Sequence, residues 1–548
     1  MSTRQIIFIV ELTLLTSGIA AATPPPPPNY QISSPSPELQ NEEQIWVCPT
    51  DSNIVIADWR DFRLGYRQVG IGRSTDGGNN WTDSLLNPAM QIFSRQSDPC
   101  LTVDRDGNFY ICVLDYEPIG SYDDSSYITF FKSTDKGLSW TGPVTVEDTL
   151  GPYFEDKQFI IVDRTTGPYS GNVYVAWARF PNPTRIMFVR STDGAASFED
   201  TVVVGPILDG SSCGWDSVYA GQFAFPLVGS DGAVFVFWIG PDIDSSTCDV
   251  YNGLKMVKST DGGVNWTEPK VIRRTVGNWG HVDGDIDVYN APIAEADISG
   301  GPFNGNLYIA YANMDYYNNP VNYDYNIEFI RSTDGGLTWS DPIYINDDSV
   351  GYGAIYDQFH PWLFCNEEGT LIAIWYDQRT DSVNHYKFDV FAAYSFDGGA
   401  TFTTNHRISD VSINPDDLKK SLRPAKSASE SAFAPMEPME PMAGKIAEYI
   451  GVTAFKDHVN AIWTDTRNGN QDVFGANWII PLLEPRLLPP IWLGEGVVTL
   501  VWSTAWKNDD DHYRIEVAAD SSFSSIFFTA ETDTTDVTFS VPSAPQRA

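Results

Sequence analysis

An all-β propeller is the fold this sequence predicts, and three observations predict it. A nine-residue segment is written six times along the 548 residues: RSTDGGNNW from Arg73, KSTDKGLSW from Lys132, RSTDGAASF from Arg190, KSTDGGVNW from Lys258, RSTDGGLTW from Arg331 and YSFDGGATF from Tyr394. The serines of successive copies stand 59, 58, 68, 73 and 63 residues apart, a period suited to one propeller blade. Each copy follows a run rich in Val, Ile, Tyr, Phe and Trp and bounded by Gly, Asn or Asp, as in NIVIADW, NVYVAWARF and TLIAIWYD, which is the strand signal.

A seventh run, HVNAIWTDTRNGNQDVFGANW from His458, has no copy after it. Seven blade-like units are therefore counted between about 44 and 478, with six as the other count, and the last unit is expected to borrow a strand from the N-terminal segment. Within each repeat, the Asp can accept backbone N–H groups a few residues on. Gly supplies the positive φ that reverses the chain, and the closing Trp or Phe returns toward the blade core. The third copy departs from the pattern, with Ala195 in place of the second Gly.

Outside the blades, 1–22 reads as a secretory signal: Arg4, an apolar run from Ile6 to Leu15, then Ala20-Ala21-Ala22 as a cleavage site. Residues 23–43 form a Pro-rich linker and a candidate closing strand, 44–482 the propeller, 410–445 a low-complexity insertion, and 483–548 a set of short alternating strands. No other stretch is long and apolar enough to span a bilayer, so an exported chain without membrane insertion is expected. The formal charge of -38, from 72 acidic against 34 basic residues, repels nucleic acid and anionic membranes. The six cysteines fit an oxidising compartment and show no zinc-ligand spacing. Cys100 and Cys112 flank a D-G turn and could bridge a hairpin, Cys213 and Cys248 could also pair, and Cys48 and Cys365 are left over.

Chemistry is expected at the face opposite the repeated turns, where inner strands begin and second strands end. Second-strand ends supply Asp58 and Arg60, Asp377 and Arg379, and Asp465 and Arg467; each Asp can fix a guanidinium fork for a substrate, or the set can form inter-blade salt bridges. Inner strands supply Asp98, Asp156, Glu295, Asp357 and Glu448 with Tyr449. Crowded carboxylates there could hold Ca²⁺, or serve as acid and base on a glycoside, or cap strands. HVDGDIDVYN from His281 clusters Asp283, Asp285 and Asp287, as a calcium loop or a solvated one.

The repeat resembles the Asp box of the sialidase superfamily, six copies making the likeness specific for fold. Ala57-Asp58-Trp59-Arg60 before the first box is similar to that family's A-D-x-R, which implies Arg60 as a pocket arginine, although Glu42 to Pro49 holds no arginine where the family has R-I-P. The resemblance implies Tyr449 as nucleophile, Glu295 as its base, Asp61 as the acid/base carboxylate, and Arg60 and Arg379 as substrate contacts; by their strand positions Asp98, Asp357 and Arg467 are further substrate-binding candidates. It implies a sialidase-like glycoside hydrolase that requires no cofactor; a structural Ca²⁺ stays open from the carboxylates named above. The alternative is a non-catalytic extracellular propeller that binds a glycan or glycoprotein. The strands of 483–548 resemble the first part of a fibronectin type III sandwich.

Overall fold

The computed structural model describes residues 9–14, 25–36, 38–86, 92–117, 125–146, 153–180, 183–214, 220–276, 279–284, 286–314, 324–348, 356–384, 386–417 and 446–480, together with short strands between 486 and 540. The expected cleavage site at Ala20 to Ala22 and most of the low-complexity insertion lie outside these residues. The chain divides into two units, Pro25–Tyr394 with Phe402–Trp478, and Met1–Pro24 with Ser395–Thr401 and Ile479–Ala548.

The larger unit is a seven-bladed β-propeller. Seven four-stranded antiparallel sheets follow one another in chain order. Their innermost strands are Gln40–Cys48, Arg95–Val103, Phe154–Val162, Gln222–Val228, Ile293–Ala296, Gln358–Cys365 and Gly451–Phe455. Each inner strand lies beside the next, and the seventh lies beside the first, so the ring is closed. Blade seven (Gly451–Phe455, His458–Asp465, Asp472–Ile479) takes its outer strand from Asn29–Gln31, with Tyr30 opposite Gly475. Between blades four and five an extra hairpin pairs Trp279–Val282 with Ile286–Tyr289.

Alternation along the second strands builds the blade cores. Trp59, Trp177, Trp238, Trp375 and Trp463, one in each of five blades, are fully buried there. The aromatic that closes each box sits shallower than the sequence suggested. Trp81, Trp140, Phe198, Trp266, Trp339 and Phe402 are only half-buried, because the outermost strand is a sheet edge with one blade neighbour.

The six boxes are one hydrogen-bonded device. In every copy the Ser hydroxyl donates to the box Asp at 2.8–2.9 Å and accepts the N–H four residues on at 2.9 Å. The Asp accepts the N–H four residues beyond itself at 2.9–3.0 Å. The two residues after each Asp are both left-handed, so Ala195 (φ 64°) and Lys136 (φ 60°) occupy glycine positions.

The first residue of the box has its own task. Arg73 donates to Lys136 O at 2.8 Å, Lys132 to Gly194 O at 2.9 Å, Arg190 to Gly262 O at 2.8 Å and Lys258 to Gly335 O at 2.9 Å. Each cation thus grips the same carbonyl of the next blade's box. Blade seven has no box, and the sixth box opens on Tyr394, whose hydroxyl instead meets Trp478 Nε1 at 2.5 Å and His406 Nε2 at 2.9 Å.

Cys213 and Cys248 form a disulfide. Cys100 and Cys112 are cross-strand neighbours but remain buried thiols, as do Cys48 and Cys365, which corrects the expected hairpin bridge.

In the smaller unit, Ile9–Leu14, Tyr513–Ala518 and Ile526–Thr532 form one three-stranded sheet. Val497–Ser503 pairs with Arg486–Leu487, Ile491–Gly494 and Asp536–Ser540 in another.

Candidate functional site

In an antiparallel meander, the turn joining strands one and two lies on the same face as the box turn joining strands three and four. Each inner strand therefore starts at the opposite face, called here the loop face. Five inner strands break register near that start: between Asn41 and Gln44, Ser97 and Cys100, Asp156 and Phe159, Gln222 and Phe225, and Phe359 and Trp362. Inside each break one non-glycine residue is left-handed: Glu42 (φ 58°), Asp98 (φ 51°), Lys157 (φ 53°), Phe223 (φ 58°) and His360 (φ 46°). Such bulges re-aim side chains, and each strained residue costs of order 1–3 kcal/mol, so their recurrence near the start of five of the seven inner strands makes this end of the ring the candidate site.

The residues after the breaks fill the axis. Phe159 lies 4.9 Å from Phe225, 5.9 Å from Tyr449 and 6.4 Å from Trp362 between ring centroids, and Trp362 lies 6.4 Å from Tyr449. On the loop-face side of this aromatic layer sits a charged cluster. Lys157 Nζ contacts Glu448, Asp98 Oδ2 at 3.2 Å and Glu42 Oε1 at 3.6 Å, and stands 5.7 Å from the Tyr449 ring centre. Arg60 NH1 reaches Glu42 Oε1 at 3.2 Å while its Nε donates to Asn41 Oδ1 at 2.8 Å. Ser97 Oγ donates to Asp98 at 2.6 Å, and Gln222 Nε2 to Asp156 at 2.8 Å. Glu42, Asp98, Lys157, Glu448 and Arg60 are all buried, Glu42 completely.

Two of the acids around Lys157 and Arg60 are pushed apart. Burial, reinforced by Asp98 and Glu448, raises the Glu42 carboxyl to about 8 against the pull of Arg60 and Lys157. Burial also acts on Asp98, but Lys157, a hydrogen bond from Glu42, Arg60 and Ser97 outweigh it and hold that carboxyl below its usual range. Burial alone would lower the Lys157 ammonium; Asp98, Glu42 and Glu448 instead carry it well above its ordinary value. Asp156 is raised to about 7, mainly by burial. The surroundings therefore favour the proton on Glu42 and the charge on Asp98.

The sequence-derived candidates separate. Arg60, Asp98 and Tyr449 meet at the axis. Tyr449 is not joined there by Glu295, which pairs with Tyr308 next to the strand-closing pair of Ala296 and Leu307, at the box-face end. Burial raises the Glu295 carboxyl to about 7, with Arg164 opposing. Burial and the carboxylates of Glu42, Asp98 and Glu448 also push the Tyr449 phenol up, away from the phenolate a nucleophile needs.

Asp61, Arg379 and Arg467 are architectural. Asp61 accepts Trp59 Nε1 at 2.8 Å, Gln40 Nε2 at 2.9 Å and Arg63 NH2 at 2.6 Å, leaving no side for a reacting group. Asp377 accepts Trp375 Nε1 at 2.9 Å and Arg379 NH2 at 2.7 Å; Asp465 accepts Trp463 Nε1 at 3.2 Å and Arg467 NH2 at 2.7 Å. Arg379 and Arg467 continue to Asp347 at 2.5 Å and Asp410 at 2.7 Å, beyond the outer strands of the preceding blades. Asp58 makes no pair with Arg60; it is buried within blade one and burial raises it well above its ordinary value. Asp357 accepts Tyr325 N at 2.8 Å and is raised to about 7 by burial, with Asp324 and Asp283 adding.

Lys157 and Glu42 are the site residues that the sequence reading passed over. Their signal was the level of the bulge, shared with S-D-P at Asp98 and F-H-P at His360. Among the described residues no group of three His, Cys, Asp or Glu side chains is arranged to hold a metal ion. In the loop read as calcium-binding or solvated, His281 Nδ1 meets Asp287 at 2.8 Å, and Asp285 lies outside the described residues.

No protein-family model and no curated protein matches the chain. Among solved structures, the chain is similar to an ulvan lyase of a polysaccharide lyase family (9% identity, 82% of this chain and 96% of that one, TM-score 0.47). It is similar to a protein of unknown function from Dyadobacter fermentans (12%, 83% and 98%, TM-score 0.41). It is also similar to the leech intramolecular trans-sialidase (14%, 85% and 71%, TM-score 0.37).

Proposed function

We propose that the protein is an exported, glycan-directed propeller that cleaves a glycosidic bond at its loop face, with Glu42 as proton donor and Asp98 as the ionised partner. The observation that carries this reading is a pair among the three carboxylates around Lys157: Glu42 and Asp98, both on strained bulges, with their proton affinities driven in opposite directions. Glycoside hydrolysis needs that division, because one carboxyl must give a proton while the other stays charged, and it needs the two about 5 Å or more apart, so on this reading the substrate displaces the Glu42–Asp98 hydrogen bond as it enters. Lys157 and Arg60 hold the charge state, and the aromatic layer beneath offers a face on which a sugar ring can stack. The Cys213–Cys248 disulfide supports export. The Tyr–Glu pair expected from the sialidase resemblance is not the machinery proposed, since Tyr449 and Glu295 occupy opposite ends of the inner-strand layer.

The burial of Glu42 favours a second reading, in which the cluster braces a propeller that only binds glycans. The experiment that separates them incubates purified protein with neutral, uronic-acid and sialylated oligosaccharides from about pH 4 to pH 9 and follows products by mass spectrometry. Cleavage that declines on the alkaline side and is lost in Glu42→Gln and Asp98→Asn supports the proposal. Binding without cleavage supports the second reading, and cleavage unaffected by both substitutions refutes the assignment of this pair.

A further inference from the structure

The residues on the loop-face side of the aromatic layer divide the axis into two halves. In three blades the bulged residue stands two places before a ring of that layer: Lys157 before Phe159, Phe223 before Phe225 and His360 before Trp362. His360 therefore holds in blade six the place that Lys157 holds in blade three. Blades seven, one, two and three bring charge to this level, through Glu448, Glu42, Asp98 and Lys157. The bulges of blades four and six bring only a phenyl ring and a neutral imidazole. His360 is 2% exposed, and neither of its ring nitrogens has a hydrogen bond of good geometry among the described residues, although the Asp287 main chain faces the ring. Burial drives its pKa down to about 3, with the Asp287 main chain opposing and Lys157 adding. A buried polar ring without a full partner is unfavourable, so a ligand group that supplies one is favoured.

The cations of the charged half are already committed. Lys157 meets Glu448, Asp98 and Glu42, and Arg60 meets Glu42 and Asn41. Toward the rim, Arg179 pairs with Glu155 at 2.6 Å, Arg67 donates to the Tyr116 hydroxyl at 2.6 Å, and Arg95 is buried with its guanidinium 5.1 Å from the Tyr66 ring centre. At the axis Glu42, Asp98, Glu448 and Asp156 outnumber Lys157 and Arg60, within a chain of net charge -38. A sugar carboxylate entering there meets like charge and no guanidinium fork open to it. We propose that the loop-face site takes a neutral glycan, and that His360 selects it through a hydrogen bond to a sugar hydroxyl. This deepens the reading of the loop face as the glycan site and rests on it. The reacting bond lies toward Glu42 and Asp98, and the uncharged body of the sugar toward Phe223, Trp362 and His360. A hydroxyl suits His360 because it can donate to a neutral imidazole or accept from it, whereas a carboxylate only accepts.

The test is titration calorimetry on the full chain. It compares xylo-, manno- and galacto-oligosaccharides with sialyllactose, and oligogalacturonates with their carboxyl-reduced forms, which lack only the carboxylate charge. A neutral oligosaccharide should bind, and a reduced form should bind at least about tenfold more tightly than its uronate. His360→Asn keeps a residue that tolerates the left-handed backbone, and should weaken the neutral ligand about fivefold to tenfold at an unchanged melting temperature. With the histidine ring nitrogens isotope-labelled for NMR, the resonance missing from His360→Asn identifies His360, and it should move as the neutral ligand is added. Binding of sialyllactose or a uronate as tight as that of the neutral sugars overturns the neutral class and leaves hydrolysis at this site standing. A neutral ligand that binds without moving the His360 resonance overturns the role given to His360. Neutral binding without cleavage supports the inference while refuting hydrolysis. No binding by any of these sugars overturns it together with the reading of the loop face as a glycan site.

Discussion

Replacing Glu42 with Gln should change how stability responds to pH more than it changes stability itself. The Glu42 carboxyl holds its proton up to about pH 8 in the fold, against 4.5 for a free glutamate, because it is fully buried beside Asp98 and Glu448. A carboxyl with a raised folded value contributes its full stability below the unfolded value, and loses it as pH climbs through the folded one. The window is therefore about pH 4.5 to 8. A separation of about 3.5 in pKa, at about 1.36 kcal/mol for each, sets a ceiling of about 5 kcal/mol on what Glu42 takes away across that window. Gln keeps the shape and cannot ionise. Urea unfolding at pH 5, 6.5 and 8 should show the wild type losing stability to the alkaline side faster than Glu42→Gln, so that the variant gains on the wild type by a few kcal/mol by pH 8. A difference between the two proteins that stays constant from pH 5 to 8 would refute the claim that Glu42 is protonated in the fold.

Three further outcomes are expected. Ser259→Ala strips the buried N–H of Gly263 of its acceptor and should lower stability by about 1–3 kcal/mol in urea unfolding; no change would remove the locking role given to the box serines. Ala195→Gly relieves a left-handed alanine and should raise stability by roughly 0.5–1 kcal/mol, again by urea unfolding, provided the box stays intact. Reducing Cys213–Cys248, whose cysteines lie 35 residues apart in sequence, should cost up to about 4 kcal/mol by loop entropy; an unchanged unfolding midpoint after reduction would count against a stabilising bridge.

The propeller was legible because its information is periodic. The boxes repeat their Ser–Asp–Gly chemistry in every copy, and each second strand carries its own run of β-formers, so local signals agree with the global plan. The seventh blade could be read from a strand run alone, despite having no box. The cation that opens the first five boxes is equally visible, yet its meaning depends on the neighbouring blade, which one repeat cannot show. The site was less legible for a related reason. Asp58-x-Arg60 was grouped with Asp377-x-Arg379 and Asp465-x-Arg467, while the folded equivalents are Trp59-x-Asp61-x-Arg63, Trp375-x-Asp377-x-Arg379 and Trp463-x-Asp465-x-Arg467. Anchoring on the buried indole, whose N–H must find an acceptor, gives the correct register. That shift of three residues frees Arg60 for the axis. Likewise, Lys157 and Glu42 come together only because bulges in separate blades fall at one height, a coincidence of registers that no single stretch of sequence contains.

The strand that completes blade seven has a consequence for how the molecule is made. Tyr30 is among the first residues of the propeller to leave a ribosome, and its partner Gly475 is among the last. Blades one to six are meanders of sequence neighbours and can form as they emerge, each tied to its predecessor. The final blade must wait, with its outer strand already synthesised and its three inner strands still to come. Until then Asn29–Gln31 is a spare strand and the first inner strand has an open flank. For most of synthesis, then, the nascent chain is an incomplete arc with two unsatisfied ends, and its exposure to wrong pairings is set by translation time rather than by the stability of the finished ring.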